Sequence, residues 1–221
     1  MEVQLLETFG SDLTVVNAAR VSFAKESATF DDMDARLIKY LARNEHNSPF
    51  YHPQVRFRLK MPIFVAREWF RHTVGFARNE VSRRYVDSEP EIFLPAAEDI
   101  RERDSNKKQG SKDTAVPTSG AAHDLIRDIN EKSKATYSRL LEMGVAPELA
   151  RTVLPQGMYT EFIETGSLYA YARLCQLRMD SHAQKEIRDY AGAVSAIMSK
   201  AFPVSWAALT ATTTATATAT A

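Results

Sequence analysis

The chain has 221 residues, enough for one sizeable core, and its 44% hydrophobic to 25% charged balance is that of a soluble enzyme rather than a disordered chain. Lys+Arg and Asp+Glu both number 28, so the formal net charge is zero, and no basic excess marks a general nucleic-acid binder. One cysteine, Cys175, leaves no partner for an intrachain disulfide, and no apolar run reaches the length of a membrane span. With no signal-peptide pattern at the start and no close cluster of metal ligands, the expectation is a cytoplasmic protein without membrane contact or bound metal.

Residues 2–8 alternate enough to form a strand. Residues 31–41 carry acids early and apolar side chains at helical spacing, which predicts a helix with favourable N-terminal charge. His46 to Pro53 is a turn-rich loop. Residues 55–61 alternate apolar and basic side chains, the pattern of a half-buried strand, and Pro62 suits the first position of a helix running to Phe70. The polar stretch 99–120, with Lys107, Lys108, Gln109 and Lys112, reads as an exposed, mobile, variable loop. Residues 121–143 form a helix with Leu125, Ile129, Tyr137, Leu140 and Leu141 near helical period, ended by Gly144. Pro147 opens a short helix through Arg151, residues 158–163 are extended, and helices over 167–179 and 183–202 complete the globular part. The domain is expected to span 1–206. The Thr/Ala tail, 207–221, offers little to bury and is expected to be disordered.

Chemistry concentrates between residues 71 and 85. Arg71, Arg78, Arg83 and Arg84 share that segment with His72, Asn79, Glu80 and Ser82. A fold gains nothing from crowding cations, because like charges repel and desolvated arginine is costly. A phosphate offsets that cost, since the planar guanidinium fork matches its oxygens. A solvated loop, its arginines paired with Glu68, Glu80 or Asp87, would account for two cations but not for this density. No glycine-rich phosphate loop occurs elsewhere. Two further pieces stand out. Arg178 lies just before a helix break that Asp180 or Ser181 can cap, and Arg151 lies at another helix end.

These pieces have a family likeness. Glu68-Trp69-Phe70 precedes Arg71-His72, and Ser82 is followed by Arg84-Tyr85. His46-Asn47-Ser48-Pro49-Phe50, Pro62 to Arg67, Ala150 to Pro155 and Leu177 to Gln184 follow in matching order. The chain in this respect resembles the flavin-dependent thymidylate synthases, whose signature is Arg-His-Arg, seven residues, then Ser. The resemblance implies an α+β fold, one domain of several helices packed with a small, mostly antiparallel sheet. It implies reductive methylation of dUMP to dTMP, with methylenetetrahydrofolate as carbon donor and FAD and NADPH as redox carriers. It also implies a homotetramer whose active sites are shared between subunits. No nucleophilic cysteine is needed, so Cys175 becomes a packing residue and Ser82 a phosphate ligand.

Carried over by position, Glu68, Trp69, Phe70, Arg71, Glu80, Val81, Ser82, Arg83 and Arg84 line the dUMP site. Ser82 and Arg84 lie near its phosphate, and Arg151 adds a further contact. Arg178 is the catalytic residue, set at the uracil edge to stabilise the anion formed when N3 loses its proton. His46, Ser48, Arg71, His72 and Glu80 match flavin or folate positions, and Thr73, Ser167, Tyr169 and Arg173 fall on FAD contacts. Here the chain departs from the pattern. Thr73 replaces an Arg, the spacing to Ser82 is one residue longer, and Ser167, Tyr169 and Arg173 replace Asn, Arg and Asn. Arg78 is expected to supply the missing guanidinium, and Tyr169 to stack on a ring. A flavoprotein acting on another pyrimidine nucleotide, or a non-catalytic nucleotide- or RNA-binding protein, remain the alternatives.

Overall fold

The computed structural model describes residues 1–86, 88–104 and 110–211. In chain order, strand β1 (Glu2–Phe9) is followed by helices α1 (Asp12–Arg20) and α2 (Asp32–Arg43), strand β2 (Gln54–Pro62), helix α3 (Ile63–Trp69) and strand β3 (Phe76–Glu80). Strands β4 (Arg101–Arg103) and β5 (Ser111–Ala115) form a hairpin, and helices α4 (Ser119–Glu142) and α5 (Pro147–Ala150) follow. Strand β6 (Tyr159–Ser167) leads into α6 (Leu168–Arg178), α7 (Lys185–Ala201) and α8 (Pro203–Ala211).

The main sheet has the order β1-β2-β6-β3, and every pairing in it is antiparallel. Alternation decides its faces. Val55, Phe57, Leu59 and Met61 of β2 are fully buried, while Arg56 and Lys60 on the opposite face pair with Glu7 and with Glu2 and Glu91. The buried face packs with α1, α2, α3, α6, α7 and α8 around one core containing Val15, Ile38, Trp69, Tyr171, Val194 and Trp206. Two buried acids tie the helices together. Asp34 accepts Arg20 at 2.6 Å, and Asp12 accepts the Val204 and Ser205 amides at 3.0 and 2.9 Å, satisfying the open N-terminus of α8.

The fold class is as expected, with local differences. Helices α1 and α8 were not read from the sequence. α1 is short and rich in β-branched residues, although Ser11 and Thr14 form its capping box. α8 is apolar nearly all round and so lacks a periodic stripe, and its buried Leu209 moves the expected boundary at 206 to at least 211. Strand β3 was hidden because its pairing is supplied by β6, not by its own composition. Pro62 ends β2 and caps α3 rather than opening it. Within the 99–120 stretch, the described residues include the paired strands β4 and β5 and the start of α4, so it is not all loop. In α4, Tyr137 and Asn130 turn inward while Leu125 and Ile129 are 72% and 58% exposed. Lys107, Lys108, Gln109, Asp87 and the tail from 212 lie outside the described residues.

One core position breaks the alternation rule. Glu164 of β6 points inward with no exposed surface, directly across from Arg78 of β3. Its carboxylate accepts the Trp69 indole N–H at 3.1 Å and pairs with the Arg78 guanidinium. Arg78 in turn lies over the rings of Phe70 and Phe76, at 5.3 and 4.8 Å from their centroids. Removing one partner strands a buried charge, so Glu164→Ala is expected to lose about 3–5 kcal/mol of stability. In urea unfolding, the double variant Arg78→Met/Glu164→Leu should recover much of that loss. Equal losses in the single and double variants would show that the pair is not what is being broken.

Candidate active site

The loop from Phe70 to Gly75 is held at both ends. Phe70 packs edge-on against Phe162 with centroids 4.8 Å apart, and the His72 amide donates to the Trp69 carbonyl at 3.1 Å. At the other end Gly75 has φ +81°, and its carbonyl accepts the Ser167 amide at 3.1 Å. A Cβ on Gly75 would stand 2.9 Å from the Ala170 Cβ and 3.0 Å from the Ser167 hydroxyl, so only glycine seats the loop on the start of α6. The lengthened signature and the Ser167 departure therefore meet at one contact. Ser167 is buried and caps α6, accepting from the Ala170 amide at 3.2 Å. The Trp69 indole is likewise inside the core and cannot face a nucleotide. Arg78, committed to Glu164, does not supply the missing guanidinium at the surface.

Arg178 stands at the end of α6, where the chain breaks before α7. Its Nε donates to Nε2 of His72 at 2.9 Å, Nη2 donates to the Glu68 carbonyl at 3.4 Å, and Nη1 faces the Glu68 carboxylate at 3.5 Å. An imidazole that accepts from a guanidinium must be neutral at that nitrogen. Burial, then the charges of Arg178, Arg78 and Arg173, lower the His72 pKa to about 4, which keeps it so. Glu68, Arg71, Arg178, Ala183 and Gln184 line a cleft of about 490 Å³ together with Arg101, Gly110 and Ser111 of the hairpin region.

A second cleft, of about 620 Å³, contains Glu80, Val81, Ser82, Arg83 and Arg84 together with Arg151. Thr160 donates to the Glu80 carboxylate at 2.5 Å, and the Ser82 hydroxyl accepts from the Arg84 amide at 3.3 Å. A third, of about 110 Å³, is lined by Arg71, His72, Thr73, Arg173, Val74, Phe76 and Ala170. Next to Ala170 in the chain, Tyr169 packs against Tyr51 with ring centroids 5.0 Å apart and planes tilted by 53°. Ser48 and His46 are exposed on the loop leading to Tyr51 and line none of these clefts.

Of the expected nucleotide residues, Glu68, Arg71 and Arg178 line one cleft and Glu80 to Arg84 with Arg151 the other, with no lining residue in common, while Trp69 and Phe70 line neither. Arg101, Ser111 and the His72–Arg178 bond carry no signal in the sequence. Nothing local marks Arg101, whose partner Glu186 lies 85 residues away. Cys175 is buried against the Ala191 carbonyl, and burial, followed by the nearby Glu164, pushes its thiol far above the usual range. Among the described residues no group of His, Cys, Asp and Glu could hold a metal, and no helix is long and apolar enough to cross a membrane.

Residues 4–204 match the family model described as thymidylate synthase complementing protein. A flavin-dependent thymidylate synthase of Kosmotoga olearia is 42% identical over 209 residues, 93% of this chain and 88% of that protein. One from Treponema denticola is 40% identical over 208 residues, 93% of this chain and 77% of that protein. Among solved structures, a UMP/dUMP methylase from Streptomyces cacaoi bound with 5-Br dUMP superposes with a TM-score of 0.86 at 32% identity, covering 95% of this chain and 94% of that one. The same enzyme bound with 5-Br UMP gives 0.85 at 31% identity.

The His72–Arg178 contact carries a pH signature. Followed by the His72 ring-proton resonance, titration should give a midpoint near 4 rather than 6.5, and Arg178→Met should move it upward. Because the folded-state pKa is depressed, the stability linked to this group is complete above about 6.5 and is lost as pH falls through about 4. A wild-type midpoint near 6.5 would mean that His72 is solvated and does not hold Arg178.

Proposed function

From its membership of the flavin-dependent thymidylate synthase family, to which this chain belongs, we propose that the protein is a flavin-dependent methyltransferase converting dUMP to dTMP. The observation that carries this reading is the poised Arg178. A guanidinium fixed by a neutral imidazole and by Glu68, at the mouth of a polar cleft, suits a pyrimidine whose N3 gives up its proton. Fixing the cation beforehand removes the reorganisation that water would need, and the anion so stabilised makes C5 more nucleophilic. Glu80, Val81, Ser82, Arg83 and Arg84, with Arg151, offer the cations and hydroxyl suited to a nucleotide phosphate.

The division of these groups between two clefts supports a site shared between subunits. In the homotetramer we propose, the Arg178 cleft of one subunit faces the Ser82–Arg84 cleft of another. The exposed Leu125 and Ile129 of α4 provide an apolar face of the kind that subunit contacts cover.

The residues present also fit FAD. Arg71 and Arg173 flank the small third pocket and have no carboxylate partner among the described residues, a donor pair suited to a diphosphate. His72 and Thr73 add hydrogen-bonding groups there, and the Tyr51–Tyr169 pair provides an aromatic shelf beside it. Bound flavin supplies the two-electron redox chemistry of the reaction. Methylenetetrahydrofolate as carbon donor and NADPH as reductant complete the proposed set, and a cytoplasmic location suits it. UMP is the second reading, favoured by the Streptomyces cacaoi neighbour, a UMP/dUMP methylase.

Purified protein should be yellow, and with FAD, NADPH and methylenetetrahydrofolate it should turn dUMP into dTMP. Arg178→Ala should lower kcat by about a hundredfold or more while dUMP binding is largely retained. UMP run in parallel decides between the two readings. Colourless protein that fails to take up added FAD would overturn both.

A further inference from the structure

The hairpin does not belong to the motifs that carry the family likeness, yet Arg101 and Ser111 of its two strands line the cleft that contains Arg178. Its first strand is latched to the body through one side chain. Arg101 Nη2 reaches the Glu186 carboxylate at 2.6 Å, Nε donates to the Ser111 hydroxyl at 2.8 Å, and Nη1 donates to the Asp99 carbonyl at 3.1 Å. Lys185 backs the same corner, 3.6 Å from the Asp99 carboxylate. The Arg101 side chain is only 10% exposed and Glu186 16%, so this is a partly desolvated latch rather than a solvated surface pair. It joins β4 and β5 to the first turn of α7, and Gln184, just before that turn, lines the cleft together with Ser111 and Gly110.

Charge points the same way. Arg101 has its donors engaged by Glu186, Ser111 and Asp99, so it is not an open phosphate ligand like Arg84. Its effect on a ligand comes from where it holds the wall. Ser111, a lining residue of the cleft, accepts from Arg101, so its own hydroxyl proton remains a donor.

We propose that the β4–β5 hairpin is a fixed wall of the nucleotide cleft, with Ser111 facing the nucleotide and Arg101 acting as its positioning residue through the ion pair with Glu186. This rests on the reading of the Arg178 cleft as the pyrimidine nucleotide site. A wall set by this latch limits the space beside Glu68 and Arg178, so it contributes to affinity for the nucleotide rather than to the chemical step.

The test is dUMP binding by equilibrium dialysis, with kcat, bound flavin and melting temperature measured on the same preparations. Arg101→Ala should weaken dUMP binding roughly five- to tenfold with kcat at saturation within about twofold. Arg101→Lys, which keeps a cation opposite Glu186, should recover most of the affinity. Ser111→Leu, a change at the hairpin surface that intrudes on the cleft, should weaken dUMP binding with flavin content unchanged, and it decides the matter if Arg101→Ala fails to fold. Wild-type affinity in both Arg101→Ala and Ser111→Leu would overturn the hairpin proposal alone. Wild-type protein that does not bind dUMP would overturn the nucleotide reading and the proposal with it.

Discussion

The placement of the whole signature segment hangs on one buried carboxylate. Glu164 projects from the middle of β6 into a position where alternation calls for an apolar side chain, and it has no access to water. It holds the indole at the end of α3 and the guanidinium of β3, the two elements that bracket residues 70 to 75. With both ends held, the loop has little freedom, and His72 is delivered to Nε of Arg178. A leucine at 164 would fill the space more cheaply, since burying ionised groups costs several kcal/mol per ion before pairing, on the order of the whole net stability of a domain. What the charge supplies is specificity of placement.

The arginines of the segment accordingly divide into two kinds. Arg78 is turned inward, sandwiched by Phe70 and Phe76 and neutralised by Glu164. Arg71 and Arg84 remain exposed at clefts. Counted in sequence, all four look alike. Their roles differ because β3 is an edge strand: at its register with β6, Arg78 faces Glu164 and Glu80 faces Phe162. The same register turns the segment from the His72 side of the molecule to the Ser82 side, which is why its two halves open into different clefts.

Much of this was legible beforehand, and the omissions have physical causes. The β2 strand and α2 could be read because alternation or helical period shows directly where a face is buried. Arg178 stood out because it lies just before a helix break. Strand β3 could not be read, because a strand of Phe-Ala-Arg-Asn-Glu is stabilised by its neighbour's hydrogen bonds and by a cross-strand ion pair, neither of which has a local pattern. Trp69 and Ser167 lie within or beside matching motifs, which points to ligand surfaces. The structure buries both side chains, one as a donor to Glu164 and the other as a helix cap. Motif membership marks proximity to a site without saying which way a side chain points. The Arg101 latch was beyond reach for a simpler reason: its partner is remote in the chain.

The buried thiol has a consequence outside the reaction itself. Cys175 sits on the inner face of α6, three residues before Arg178, sealed by the core and held protonated. A thymidylate-forming enzyme with that arrangement presents no sulfur nucleophile to its nucleotide. Compounds that act by trapping a cysteine on the pyrimidine ring therefore have nothing to capture here, and alkylating reagents find no entry. At the proposed site, inhibitors must gain their affinity by shape and charge rather than by capture of a thiol, which makes selectivity over cysteine-dependent enzymes a property of the fold.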